Sequence, residues 1–173
     1  SEQKRHVIYI SSRDGYPAVY DQPLYEEIKK RIKTTGKSPN MESLHFLQSG
    51  FDIFKDQIVL GVKAHRQDVL HLLDRQSGKI LQTISHDSLV TIHSPRFSKD
   101  GNQITFTGQH YNGNSDIYLF TISSNNLVNL TNDIFTDRDP SFTDDGKTIL
   151  FSSDRNNDFF NGGLDLYALN LKS

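Results

Sequence analysis

The 173 residues, 35% hydrophobic and 10% aromatic, suffice for one domain with its own core. A mean hydropathy of −0.56 predicts thin core layers in which Phe and Tyr do much of the packing. With 19 basic against 21 acidic side chains, a formal charge of −2 and no basic stripe, electrostatic capture of nucleic acid is excluded, and the absence of cysteine excludes disulfide scaffolds, thiolate nucleophiles and cysteine zinc sites.

In chain order, the polar stretch Ser1 to His6 has no signal-peptide hydrophobic region, and nowhere does an apolar run approach the ~20 residues of a membrane-spanning helix, so no membrane span is expected. Val7-Ile8-Tyr9-Ile10 and Val19-Tyr20 read as short strands. The stretch from Asp21 to Lys33 has two readings. Leu24, Ile28 and Ile32 suit one face of a helix, whereas the register of the remaining chain asks for an outer strand ending near Ile32, and the strand fits better. GFDIFKDQIVL from Gly50 reads as strand, turn and strand, followed by runs at Val69–Leu72 and Ile80–Ile84. SPRFSKDGNQITF from Ser94 is a fuller version, with further runs at Ile117–Phe120 and Leu127–Thr131. DPSFTDDGKTILF from Asp139 repeats it, with Leu166–Leu169 beyond. The pairs Asp100-Gly101 and Asp145-Gly146 predict hairpins whose central residues take positive φ.

Two markers keep a common register. Ile53, Phe97 and Phe142, each ahead of a turn, are 44 and 45 residues apart (97 − 53 and 142 − 97), and the turn aspartates Asp56, Asp100 and Asp145 keep the same spacings. A period of this length holding four short strands is the pattern of a propeller blade. Val7–Arg13 aligns with Ile149–Arg155 at an offset of 142, which makes the first segment a blade without its innermost strand; the last unit stops after its third strand, at Leu171. The expected fold is all-β: a β-propeller segment of about four antiparallel blades, approximately 6–34, 49–86, 93–133 and 138–173, the first and last incomplete. Unpaired sheet edges attract other strands, so remaining blades or a second chain are expected to close the ring.

The strings SPRFSKDGNQITFTG, SDIYLF, LVNLTND, DRDPSFTDDGKTILFSSDR and LDLYAL resemble the TolB-like propeller repeat, a WD-repeat relative with a Pro and an Asp-Gly signature. Asp56 is not followed by Gly, a departure that shortens one hairpin. The resemblance implies a bacterial cell-envelope or periplasmic protein, or the propeller portion of a larger one, acting through protein or ligand contacts. Because one fold hosts many functions, two other uses stay open. One is the gating propeller of a prolyl-oligopeptidase-like serine peptidase whose catalytic domain lies outside this chain; the other is a metal-dependent sugar-acid lyase.

No catalytic residue is expected. The nearest approach to a nucleophile elbow, Gly113-Asn114-Ser115-Asp116-Ile117, lacks the closing Gly and leads into a strand. None of the seven histidines stands in H-E-x-x-H, and no metal or cofactor is expected. His71 reads as a half-exposed strand residue. His45, His93 and Asp139 precede innermost strands and are expected to line one mouth of the channel, where they would contact a protein or peptide partner or a small ligand. Asp133, Asp137, Asp139, Asp144 and Asp145 lack the order of a calcium loop; Asp144 and Asp145 read as turn formers, and Asp137 or Asp139 as partner to an arginine. Arg13 and Arg155 share one repeat position and, with Asp137, are expected to bracket neighbouring blades. The basic run at Lys29, Lys30, Arg31 and Lys33 follows Glu26-Glu27 and reads as a solvated face. The expected core comprises Ile53, Phe97, Ile104, Phe106, Ile117, Leu119, Leu130, Phe142, Ile149, Phe151 and Leu166.

Overall fold

Short runs of alternating or continuous apolar residues, cut by polar turns, leave hairpins as the economical way to satisfy the backbone. The computed structural model describes residues 5–25, 30–34, 40–44, 50–156 and 163–171, and no helix occurs among them. The first sheet orders β1 (His6–Ser11), β2 (Ala18–Pro23) and β3 (Lys30–Thr34). The second orders β4 (Phe51–Phe54), β5 (Gln57–Ala64), β6 (Gln67–Asp74) and β7 (Ile80–Ile84), and the third β8 (Leu89–Phe97), β9 (Gln103–His110), β10 (Ser115–Thr121) and β11 (Asn126–Asn129). The fourth holds β12 (Asp137–Phe142), β13 (Thr148–Ser153) and β14 (Asp165–Asn170). All pairings within the sheets are antiparallel. The ambiguous stretch after Asp21 contributes a strand: β3 covers the outer edge of β2, and Ile32 is buried.

The core lies between sheets. Ile8, Ile10 and Val19 of the first blade meet Ile58, Leu60 and Val62 of the second. Val59, Leu70 and Leu72 leave the opposite face of that second sheet and pack on Ile104, Phe106 and Tyr118 of the third. Ile117 and Leu119 then face Ile149 and Phe151 of the fourth. Each sheet with a neighbour on both sides is therefore apolar on both faces, as the burial of β5, β6, β9 and β10 records.

This layering corrects one core expectation. Leu166 occupies the repeat position of Ile117, yet it is 72% exposed where Ile117 is 1% exposed. On β14, Tyr167 and Leu169 face the third blade, so Leu166 and Ala168 point to the other side, which no blade covers among the described residues. The hairpin expectation also needs correction. Only the glycines of the Asp-Gly pairs take positive φ, +77° at Gly101 and +68° at Gly146. Asp100 and Asp145 instead accept hydrogen bonds across the turn, from Ser98 Oγ and Asn102 N in one case and from Thr143 Oγ1 and Lys147 N in the other. A side-chain acceptor that closes a wider loop replaces the two-residue primed turn. Lys55-Asp56, without the Gly, does form a two-residue loop between Phe54 and Gln57.

Polar ties reinforce the stack. The Asp52 carboxylate accepts from Phe97 N at 2.8 Å, and the Asp68 carboxylate from Ile92 N at 3.4 Å, both from the second blade to the third. An ion pair joins the first two blades, Arg75 Nε to Asp21 Oδ2 at 2.8 Å, with His6 Nδ1 at 2.6 Å from the other Asp21 oxygen. Burial opposes the charge on Asp21, but these partners outweigh it and hold the carboxyl below its ordinary range.

Candidate functional site

Two inner strands each break register where the repeat places a residue ahead of proline. β8 has an irregularity between His93 and Arg96, and β12 between Arg138 and Ser141. At those points Ser94 and Asp139 both take φ of 53°, an uncommon left-handed geometry for residues with side chains. The prolines that follow restrict them further, and the bulges aim the flanking side chains away from the ladder. The equivalent bulge residues of adjacent blades then meet: Ser94 Oγ donates to Asp139 Oδ1 at 2.6 Å, while Asp139 N donates to Thr107 Oγ1 at 3.1 Å.

The two bulges open a polar pocket of about 360 Å³ lined by Thr91, His93, Ser94, Gln109, Ser115, Arg138 and Asp139. Several lining groups are already committed. Thr91 Oγ1 donates to Gln109 Oε1 at 3.2 Å, Gln109 Nε2 donates to Gly113 O at 3.2 Å, and Ser115 Oγ donates to Asp137 O at 3.0 Å. With the Ser94 proton given to Asp139, the 3.3 Å contact between Ser94 Oγ and His93 Nδ1 is made with the imidazole donating, which leaves Nε2 as an acceptor. Arg138 is exposed, and its guanidinium has no hydrogen bond or ion pair among the described residues. Burial lowers the His93 pKa below its ordinary 6.5, and the Arg138 charge adds to that, against the opposing pull of Asp139 and Asp68. The pocket thus combines a neutral imidazole, a free guanidinium and a carboxylate with one oxygen engaged by Ser94.

Of the three residues expected at the channel mouth, His93 and Asp139 come together here, and His45 lies outside the described residues. The bracketing expectation is revised. Arg155 Nη2 lies 2.9 Å from both oxygens of Asp137, which is 0% exposed, but the two belong to one blade. The link toward the preceding blade is Arg155 Nη2 to Asp133 Oδ2 at 3.2 Å, Asp133 lying on the connection between β11 and β12. Arg13 has no carboxylate partner among the described residues; it lies over the rings of Tyr9 and Tyr20. His71 is 2% exposed rather than half-exposed, because Nε2 donates to Asn40 O at 2.7 Å and Nδ1 accepts from Thr83 Oγ1 at 3.0 Å, which lets the ring enter the core.

Carboxylates of separate blades do meet, at Asp116, Asp133 and Asp137, with one oxygen from each within 4.8 Å of the others. The Arg155 guanidinium stands against two of them, and Asp116 is held by His110 Nε2 at 2.9 Å, Asn129 Nδ2 at 2.8 Å and Thr131 Oγ1 at 3.2 Å. Protein donors therefore balance the cluster. Asp116 was detectable: an aspartate precedes an apolar residue at Asp68-Val69, Asp116-Ile117 and Asp165-Leu166, at spacings of 48 and 49 (116 − 68 and 165 − 116).

No protein-family model and no curated protein matches the sequence. Solved structures match the fold. TolB from Acinetobacter baumannii is 20% identical, with a TM-score of 0.64 over 95% of this chain and 38% of that one. A putative TolB from Agrobacterium tumefaciens is 15% identical, with a TM-score of 0.66 over 94% of this chain and 61% of its own. The fold is a TolB-like β-propeller with open ends. An uncharacterised Listeria monocytogenes protein is similar too, 16% identical with a TM-score of 0.66, over 98% of this chain and 48% of its own. The propeller segment thus spans less than two thirds of each of these three proteins, and at such identities the likeness is one of fold.

Proposed function

We propose that this propeller segment is a non-catalytic recognition module of the TolB-like family, in the bacterial cell envelope or periplasm, that holds a protein or peptide partner through the pocket between its third and fourth blades. The observation that carries this reading is Arg138, which has no hydrogen bond or ion pair among the described residues, beside neutral His93 and Asp139, on strands and not on a free loop. An unpaired guanidinium suits a carboxylate on the partner, and His93 Nε2 suits one of its N–H groups. The hydrogen-bond order supports binding over chemistry. A serine nucleophile gives its proton to a histidine that an acid orients, whereas Ser94 gives its proton directly to Asp139.

The test is a two-dimensional NMR titration of the chain with short peptides bearing an acidic side chain or a free C-terminal carboxylate. Shifts concentrated on His93, Ser94 and Asp139, and lost in Arg138→Ala, are the expected result. Shifts that survive Arg138→Ala, or no shifts with any such peptide, would overturn the reading.

A further inference from the structure

The second and third blades share one ladder and fill one place in it differently. In the third, five side chains close a network. His110 Nε2 and Asn129 Nδ2 lie 2.9 and 2.8 Å from Asp116 Oδ2, Tyr118 OH lies 3.3 Å from each of those nitrogens, and Thr131 Oγ1 donates to Asp116 Oδ1 at 3.2 Å. The pairings give each residue its counterpart in the second blade. Val62 pairs with Val69 as Gly108 does with Asp116, Leu60 with His71 as Phe106 with Tyr118, and His71 with Thr83 as Tyr118 with Asn129. By the ladder, then, Val69 and not Asp68 stands in the place of Asp116. The same 46-residue offset of these strands (106 − 60 and 129 − 83) sets Ala64 in the place of His110 and Ser85 in that of Thr131.

Every exchange shortens the side chain: His to Ala, Asp to Val, Tyr to His, Asn to Thr and Thr to Ser. Where the third blade is filled by its network, the second holds a cavity of about 430 Å³ whose wall includes Ala64, Val69, His71, Thr83 and Ser85. The described wall comes from the second blade and from Asn40, with no residue of the first blade in it.

That wall carries no carboxylate, ammonium or guanidinium, so a charged ligand would enter unpaired and at a cost. Ala64, Val69 and Ile80 form its apolar side. His71 is structural, since its Nε2 donates to Asn40 O and its Nδ1 accepts from Thr83 Oγ1. Four polar groups are left for a ligand. His65 Nε2 donates to Asn40 Oδ1 at 2.7 Å, which leaves His65 Nδ1 as an acceptor and Asn40 Nδ2 as a donor. The Gln67 amide and the Ser85 hydroxyl make no hydrogen bond among the described residues. Neutral donors and acceptors side by side suit hydroxyl groups, which are both at once, and an apolar wall with a few convergent polar groups is the usual make-up of a small-molecule site.

We infer that the cavity of the second blade binds an uncharged, polyhydroxylated small molecule with a hydrocarbon face, of the alkyl-glycoside class. Its hydroxyls meet Asn40, His65, Gln67 and Ser85, and its hydrocarbon lies on Ala64, Val69 and Ile80. The site is separate from the pocket between the third and fourth blades and does not depend on its role.

The experiment titrates the 15N-labelled chain with hexyl β-D-glucopyranoside, kept below its micelle concentration, and follows amide shifts. Saturable shifts concentrated on Asn40, His65, Gln67, Thr83 and Ser85 are expected, with hexanoate and free glucose each binding at least tenfold more weakly. Gln67→Ala should weaken the glycoside about tenfold by removing one hydrogen-bonding group. Ser85→Tyr, at an exposed position of the wall, should fill the cavity and abolish the shifts. Unchanged melting temperatures show that the variants are folded, and if Ser85→Tyr does not fold, Gln67→Ala decides. No saturable shift at millimolar glycoside, shifts centred on another blade, equal binding of hexanoate, or an affinity that neither variant changes would each overturn the inference.

Discussion

Ile117 and Leu166 make a matched pair, since one repeat position presents a branched apolar side chain to a neighbouring blade in the third blade and to solvent in the fourth. Ile117 is 1% exposed in the layer with Leu119, Ile149 and Phe151, whereas Leu166 is 72% exposed. Ile117→Ala removes three carbons from a closed layer, for which transfer and cavity terms together cost about 2–5 kcal/mol. In a chain of this size that corresponds to a fall in melting temperature of roughly 5–15 °C. Leu166→Ala removes surface that water already reaches, and its cost should stay within about 0.5 kcal/mol. Urea denaturation of both variants, with slopes checked against the parent, measures the difference. Comparable losses would refute the assignment of an open face to the fourth sheet.

Asp137→Asn should destabilise by about 2–3 kcal/mol in the same assay, because it takes the charge from the buried partner of Arg155, and Arg155→Lys should not be neutral, since an ammonium forfeits the contacts with the Phe151 and Tyr167 rings. Glycine replacements separate backbone strain from crowding. Gly146→Ala meets nothing within 4 Å and should cost only the left-handed backbone term, about 1–2 kcal/mol, whereas Gly101→Ala drives a Cβ to 2.1 Å from the Phe54 ring of the second blade and should cost clearly more on thermal melting. His93 should titrate below 6.5 by NMR, and Arg138→Ala should move it upward while Asp139→Asn moves it further down. The unfolded chain takes that proton first as pH falls. The His93 contribution to stability is therefore complete above 6.5 and is lost as pH falls through the lower folded-state value, and a rise in that contribution on acidification would contradict burial as the cause.

Much of the candidate site was legible because it sits at repeat positions. His93 and Asp139 could be picked out at the inner strands from spacing alone, although both lie within those strands and not ahead of them, and the Pro that directly follows each bulge residue is visible in SPRF and DPSF. Arg138 was not singled out. Nothing in a single exposed arginine says whether a carboxylate will reach it, and Arg155 and Arg13 illustrate the ambiguity: similar local sequence, similar ring contacts, and an acid for only one of them. His71 was misjudged for a related reason, because its partners Asn40 and Thr83 lie 31 and 12 residues away.

The amino-acid string alone determined the elements and their order, since strand alternation, turn chemistry and a 44–45-residue period are local properties that survive without knowledge of neighbours. Only the tertiary structure decided which of two equivalent faces is dry, which of two equivalent arginines is paired, and that bulges from successive blades close on one pocket. Those outcomes depend on what stands across a sheet face or beyond a sheet edge, and a periodic sequence writes the same residues whether or not anything stands there.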